Sequence, residues 1–157
     1  MRTHEPLGEK TLLEIGFWAD IHSGGPGPDP RMLVDPTWAG TDRAKLADYL
    51  NDGLVWRAYL GFSFCRFNCG IRREEMGAVT LTDGTWAWPS GLAHYVVAHR
   101  IALPDEFLDH ARTQAFQIDP RLASPAMPGR PRWLAFPAVG TSEPWQRWVI
   151  ARKAMAP

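Results

Sequence analysis

The run at residues 77–88 (GAVTLTDGTWAW) constrains the fold more than any other stretch of the chain. An Asp-Gly pair between alternating apolar residues is a strong hairpin signal, because a two-residue hairpin turn needs positive φ at its central positions. Closing on Asp83 and Gly84 pairs Thr82 with Thr85, Leu81 with Trp86, Thr80 with Ala87 and Val79 with Trp88. Val79, Leu81, Trp86 and Trp88 then share one face, and Thr80, Thr82, Thr85 and Ala87 the other. The turn alone accounts for Asp83.

The apolar face of such a hairpin needs a covering layer, and the flanking sequence offers helices. Residues 41–52 carry Leu46, Tyr49 and Leu50 at helical spacing, with Thr41 or Asp42 as cap and Gly53 as a left-handed stop. Residues 54–60 alternate as a strand. Residues 91–99 follow Pro89 and Ser90, with Ser90 as cap and Leu92, Tyr95, Val96 and His99 along one stripe. A further helix starts with Pro104 in its first turn and Asp105 and Glu106 at the positive end of its dipole, turning Phe107, Leu108, Ala111 and Ala115 inward. His110 reads as a surface residue of that helix. Residues 143–153 form a short amphipathic helix with Trp145, Trp148, Val149 and Arg152 in one stripe, a conceivable dimer contact. The expected fold class is α+β: a small antiparallel sheet containing the hairpin, packed against helices.

Proline marks the borders. Of 14 prolines, 5 lie in residues 1–36 and 7 after residue 118, so regular structure is expected mainly in 41–118. Residues 1–40 read as an N-terminal arm with one short helix over 10–19, and the Gly- and Pro-rich run at 23–31 as a surface loop. Residues 119–157 read as a basic, irregular C-terminal arm. At 157 residues the chain suits a single domain. Net charge is zero, but the three segments carry −3, −1 and +4, so the basic tail can fold back on the acidic N-terminal segment. No apolar run approaches the roughly 20 residues of a membrane span, and no signal-peptide pattern opens the sequence. A cytoplasmic protein with reduced thiols is expected, with no membrane partner.

The chemistry concentrates in four residues. Cys65 and Cys69 (CRFNC) have three residues between them, and His94 and His99 (HYVVAH) have four. Two thiolates from a turn and two imidazoles from a helix, with a hairpin between, is the order of a tetrahedral zinc site. Five residues along an ideal helix rotate by about 140°, so the helix must tighten or unwind near His99. Three readings are open: four ligands on a structural zinc, three of them with His110 or water, or a metal-free core of buried cysteine and histidine. Two thiolates favour a closed structural site over a catalytic one, which would keep an open position and a base. Glu74 and Glu75 are the nearest acids, and no motif ties them to the metal.

The block spanning 61–107, with SFCRFNCG, TDGTWAWPSGLAHYVVAH and LPDEF, resembles small bacterial proteins of uncharacterised function. These combine a cysteine knuckle with the run T-D-G-x-W-x-W-P-x-G-L-x-H-Y-V-x-x-H. The resemblance covers under a third of the chain and implies no substrate. Tighter zinc knuckles place two residues between their cysteines, where this chain has three.

The leading expectation is therefore a zinc-stabilised binding module for a protein partner or small ligand. A metal-dependent hydrolase using His94 or His99 with water is the alternative. Nucleic-acid binding through Arg66, Arg72 and Arg73, interleaved with Phe64 and Phe67, and through Arg130 and Arg132 of the tail, is a further alternative that zero net charge disfavours.

Overall fold

The structure, a computed structural model, describes residues 10–19, 27–38, 42–125 and 127–154. It is α+β, as the sequence leads one to expect, but the sheet is mixed and has five strands. They are β1 (Lys10–Glu14), β2 (Leu54–Ala58), β3 (Val79–Thr82), β4 (Trp86–Pro89) and β5 (Ala138–Thr141), in the order β2-β3-β4-β1-β5. β2, β3 and β4 are antiparallel, whereas β1 runs parallel to both β4 and β5. The helices are α1 (Asp42–Asn51), the single turn α2 (Arg73–Met76), α3 (Leu92–His99), α4 (Asp105–Thr113) and α5 (Glu143–Ala154).

The largest departure from expectation is at the two ends. Residues 10–14 are a strand, not part of a helix, and sit between β4 and β5. The C-terminal segment does fold back on the N-terminal one, through the backbone ladder from Lys10 opposite Ala138 to Leu13 opposite Thr141. No ion pair among the described residues joins the two segments. α5 then packs its stripe inward. Trp145 is fully buried and its Nε1–H donates to the Phe17 carbonyl at 3.2 Å, while Trp148 stacks on Trp145. Trp145 and Val149 of the stripe are buried inside the chain, while Trp148 and Arg152 are half-buried. The expected Thr41 cap and residues 23–26 of the expected 23–31 loop lie outside the described residues.

The hairpin forms two residues out of the expected register. Thr82 faces Ala87, Leu81 faces Trp88 and Thr80 faces Pro89. Gly84 has φ 90°, but Asp83 is not in the left-handed region, so the connection is not the two-residue turn. Side chains explain the longer loop. The Asp83 Oδ1 accepts N–H bonds from Thr85 and Trp86 at 2.9 and 2.7 Å, and the Thr82 hydroxyl donates to the Trp86 carbonyl at 2.6 Å. A slip of two preserves each residue's face, since the pleat repeats every two residues. Thr80, Thr82 and Ala87 are nevertheless as buried as Leu81 and Trp88, so this part of the sheet is covered on both faces.

The core centres on Trp88, packed against Tyr49 and Phe107 with ring centroids 6.0 and 5.6 Å away; its Nε1–H donates to the Leu50 carbonyl at 2.9 Å. Gly53 matters here for space and not for handedness: a Cβ would lie 2.8 Å from Leu81 Cβ and 2.9 Å from Trp88 Cζ2. β2 is shorter than expected, ending at Ala58, and a bulge at Trp56 breaks its alternation, so that Leu54 and Val55 are both buried. Ala115 lies beyond α4 in a left-handed conformation and is exposed, not inward-facing, while Pro104 occupies the N-cap.

Ser90 does not cap α3. Gly91 takes that position, and the Ser90 hydroxyl donates instead to the Met76 carbonyl at 2.8 Å, locking α2 to the start of α3. Gly77 makes this closeness possible: it has φ 78°, and a Cβ there would collide with Ser90 Oγ. Gly77→Ala is expected to destabilise the fold by about 2 kcal/mol, from left-handed strain plus the clash. Urea unfolding measures it; a loss below about 0.5 kcal/mol would show that the junction is not closed in this way.

Candidate metal centre

The segment from 61 to 72 leaves β2, forms an irregular knuckle and returns through α2. A turn closes it, with the Asn68 N–H donating to the Cys65 carbonyl at 3.1 Å and Asn68 itself left-handed at φ 50°. That turn folds Cys69 back toward Cys65. Tyr95 then fixes the knuckle to α3: its hydroxyl accepts from the Arg66 N–H at 2.9 Å and donates to the Phe64 carbonyl at 3.3 Å. Arg31, from the segment before α1, donates from Nη2 to the Arg66 carbonyl at 2.6 Å on another side.

α3 supplies the histidines, His94 in its first turn and His99 as its last residue. The end of the helix unwinds and does not tighten. Arg100 is left-handed at φ 51°, its N–H reaches back five residues to the Tyr95 carbonyl, and the Ile101 N–H bonds the same oxygen at 3.3 Å. The Asp35 N–H donating to the Arg100 carbonyl at 2.8 Å holds that end in place. Phe67 stacks on the His99 ring, with centroids 4.0 Å apart and 6° between planes, which orients the imidazole.

All four residues picked out by sequence meet. One donor atom from each of Cys65, Cys69, His94 and His99 lies within 4.8 Å of the others. Cys65 Sγ is 3.4 Å from His99 Nε2, and Cys69 Sγ is 3.3 Å from His94 Nε2. The five-residue histidine spacing and the three-residue gap between cysteines are therefore both accommodated. Cys65 is buried and Cys69 exposed, and neither is in a disulfide. Burial raises the Cys65 thiol above its usual range, opposed by the backbone N–H groups of Phe67 and Cys69. Burial also lowers both histidines, with the neighbouring His99 pushing His94 further down and Glu75 opposing this. Both shifts favour the neutral imidazole that a metal needs. The cluster can hold a metal ion.

Other sequence candidates fall elsewhere. His110 is not at this centre and is not a free surface residue: its Nε2 lies 3.2 Å from Asp83 Oδ2. That same oxygen accepts from the Tyr49 hydroxyl at 2.5 Å, so Asp83 joins α1, α4 and the hairpin loop in one buried network. Glu75 lies close to His94 and lines a surface cavity of about 250 Å³ with it. Arg66 is half-buried against Phe64, its guanidinium carbon 4.1 Å from the ring centroid, and Arg73 lies over the same ring at 5.5 Å. Arg130 and Arg132 are exposed in the C-terminal segment.

Spacing alone did not reveal Tyr95 and Phe67 as supports for the ligands. Their only sequence signal is aromatic residues interleaved with the four ligands. Tyr95→Phe removes both hydroxyl bonds to the knuckle and is expected to weaken metal affinity about tenfold while leaving the fold intact. Competition with a chromogenic chelator reads this, and unchanged affinity would show that the knuckle is held by other contacts.

No protein-family model, curated protein or solved structure matches the chain.

Proposed function

We propose that this protein is a small interaction module in which a structural zinc ion, bound by Cys65, Cys69, His94 and His99, staples the knuckle to α3. The observation that carries this reading is the convergence of two thiols and two imidazoles from separate elements. Zinc bonds of about 2.3 Å to sulfur and about 2.0 Å to nitrogen set tetrahedral S···N edges of about 3.5 Å. The two in this fold, 3.4 and 3.3 Å, need only slight expansion. Zinc also favours this mixed donor set, and four protein ligands leave no position for water. The reading suits a reducing compartment such as the cytoplasm, where both thiols stay available, and membership of the bacterial group sharing the knuckle and the T-D-G-x-W-x-W-P run. No helix among the described residues is long and apolar enough to cross a membrane.

The hydrolase reading draws on one feature, the cavity where His94 and Glu75 meet. It requires one of the four ligands to give way to water, with Glu75 as base. Nucleic-acid binding draws less support, because Arg66 and Arg73 already cover Phe64. Elemental analysis of the purified protein should find about one zinc per chain, lost in His99→Gln, and a cobalt-substituted sample should show the spectrum of a closed tetrahedral thiolate site. Protein free of metal after preparation with zinc present would overturn the staple. A cobalt spectrum with an exchangeable water would move the assignment to the hydrolase.

A further inference from the structure

Among the described residues, two buried side-chain nitrogens have no hydrogen-bond partner: Trp18 Nε1 and Arg66 Nε. Both side chains line the same cavity, about 150 Å³ between the knuckle, the segment after β1 and the start of α3. Buried donors are rarely left unpaired, and two on side chains that line one cavity point to a shared acceptor. Indole and guanidinium are donors only, and the guanidinium keeps its charge at any ordinary pH. An acceptor with negative charge would satisfy both.

A second cavity, about 320 Å³, adjoins the first, with Phe17, Ser63 and Pro89 in the walls of both. Its lining is mainly apolar and includes Tyr59 and Phe62, each 54% exposed. An anionic head beside an apolar trough defines an amphiphilic acid. A carboxylate fits better than a phosphate dianion, since one charge costs less to desolvate in so enclosed a space.

We infer that the paired cavities bind a small organic carboxylate with an aromatic body, its carboxylate between Arg66 and Trp18 and its ring against Phe17, Tyr59 and Phe62. This deepens the interaction-module reading by naming a ligand class, and rests on it only through the knuckle that carries Arg66. Both nitrogens are covered in the free protein, so binding draws one or both side chains onto the ligand. The Arg66 Nη1–H bond to the Phe64 carbonyl, 2.9 Å, keeps the guanidinium tethered at the cavity meanwhile.

The test uses the metal-loaded full chain, following the indole N–H resonances by NMR, with Trp18→Phe assigning the Trp18 signal. Titration with 3-phenylpropionate is expected to move that signal saturably, with Kd on the order of 1 mM for a ligand of this size. Acetate, lacking the ring, and 3-phenylpropanamide, lacking the charge, should each bind at least about tenfold more weakly. Arg66→Met should abolish saturation, with metal content measured in the same sample to show that the knuckle persists. Phe62→Ser, at an exposed position that folding tolerates, should weaken 3-phenylpropionate but not acetate. A Trp18 resonance unmoved by every carboxylate in folded protein would overturn the inference, as would equal binding of the amide or preferential binding of inorganic phosphate. Carboxylate binding by protein that holds no metal would leave the inference standing and remove the zinc staple; metal without carboxylate binding would do the reverse.

Discussion

Chelating the metal from the purified protein is expected to lower its melting temperature by about 8–16 °C. An ion that binds only the folded state at a free concentration about 1,000 times its Kd contributes about 4 kcal/mol. For a chain of this size each kcal/mol moves the melting temperature by about 2–4 °C. Cys69→Ser is the cleanest genetic equivalent, because Cys69 is exposed and its replacement buries no hydroxyl, whereas Cys65 sits in the core. Chelation of the Cys69→Ser protein should then add little, since both act on one interaction. Differential scanning calorimetry with and without chelator reads all three samples. A shift below about 2 °C on complete loss of metal would remove the structural role, and the knuckle would then be held by Tyr95, Arg31, the Phe67 stack and the backbone turn.

Asp83→Ala should be the most damaging single substitution at a polar residue, costing about 3–5 kcal/mol. The Asp83 side chain is 2% exposed and serves four groups: the N–H groups of Thr85 and Trp86, the Tyr49 hydroxyl and the His110 ring. Alanine leaves the two amides and the hydroxyl without their acceptor in a buried place, and each such loss costs about 1–3 kcal/mol before relaxation. Burial and the adjacent Asp83 hold the Tyr49 phenol far above its ordinary range, so it remains a donor throughout. Asp83→Asn keeps an acceptor for the loop amides and should cost roughly half as much. A double-mutant cycle between Tyr49→Phe and Asp83→Asn, followed by urea unfolding, isolates the tie to α1 from the turn. A cost under about 1 kcal/mol for Asp83→Ala would mean that the carboxylate only shapes the loop, as the sequence had suggested.

How much was legible varies with the range of the interactions that decide each element. α1, α3 and α5 follow from apolar residues at helical spacing, a local property, and the stripe of Trp145, Trp148 and Val149 turns inward as its spacing requires. The strands of the hairpin follow from alternation. Its register does not, because Asp83 and Thr82 direct their side chains into the loop and lengthen it by two residues. β1 is not legible locally, because KTLLE has no alternation to separate strand from helix. Its partners lie more than 70 residues away, at Trp86 and Ala87 and at Ala138–Thr141.

The candidate metal centre divides in the same way. Residue type and order were enough to select Cys65, Cys69, His94 and His99, since few side chains bind metal and their spacing needs only a turn and a helix. The exclusion of His110 from that centre, the unwinding after His99 and the supports from Tyr95 and Phe67 depend on how α3, α4 and the knuckle pack. The cavity beside Arg66 and Trp18 has no sequence signature at all, because it arises where segments nearly 50 residues apart fail to satisfy each other's donors. Local periodicity and donor chemistry were therefore determined by the sequence itself. Sheet order, the Asp83 network and the unpaired donors were decided only by tertiary packing, where distant groups compete for the same partners and space.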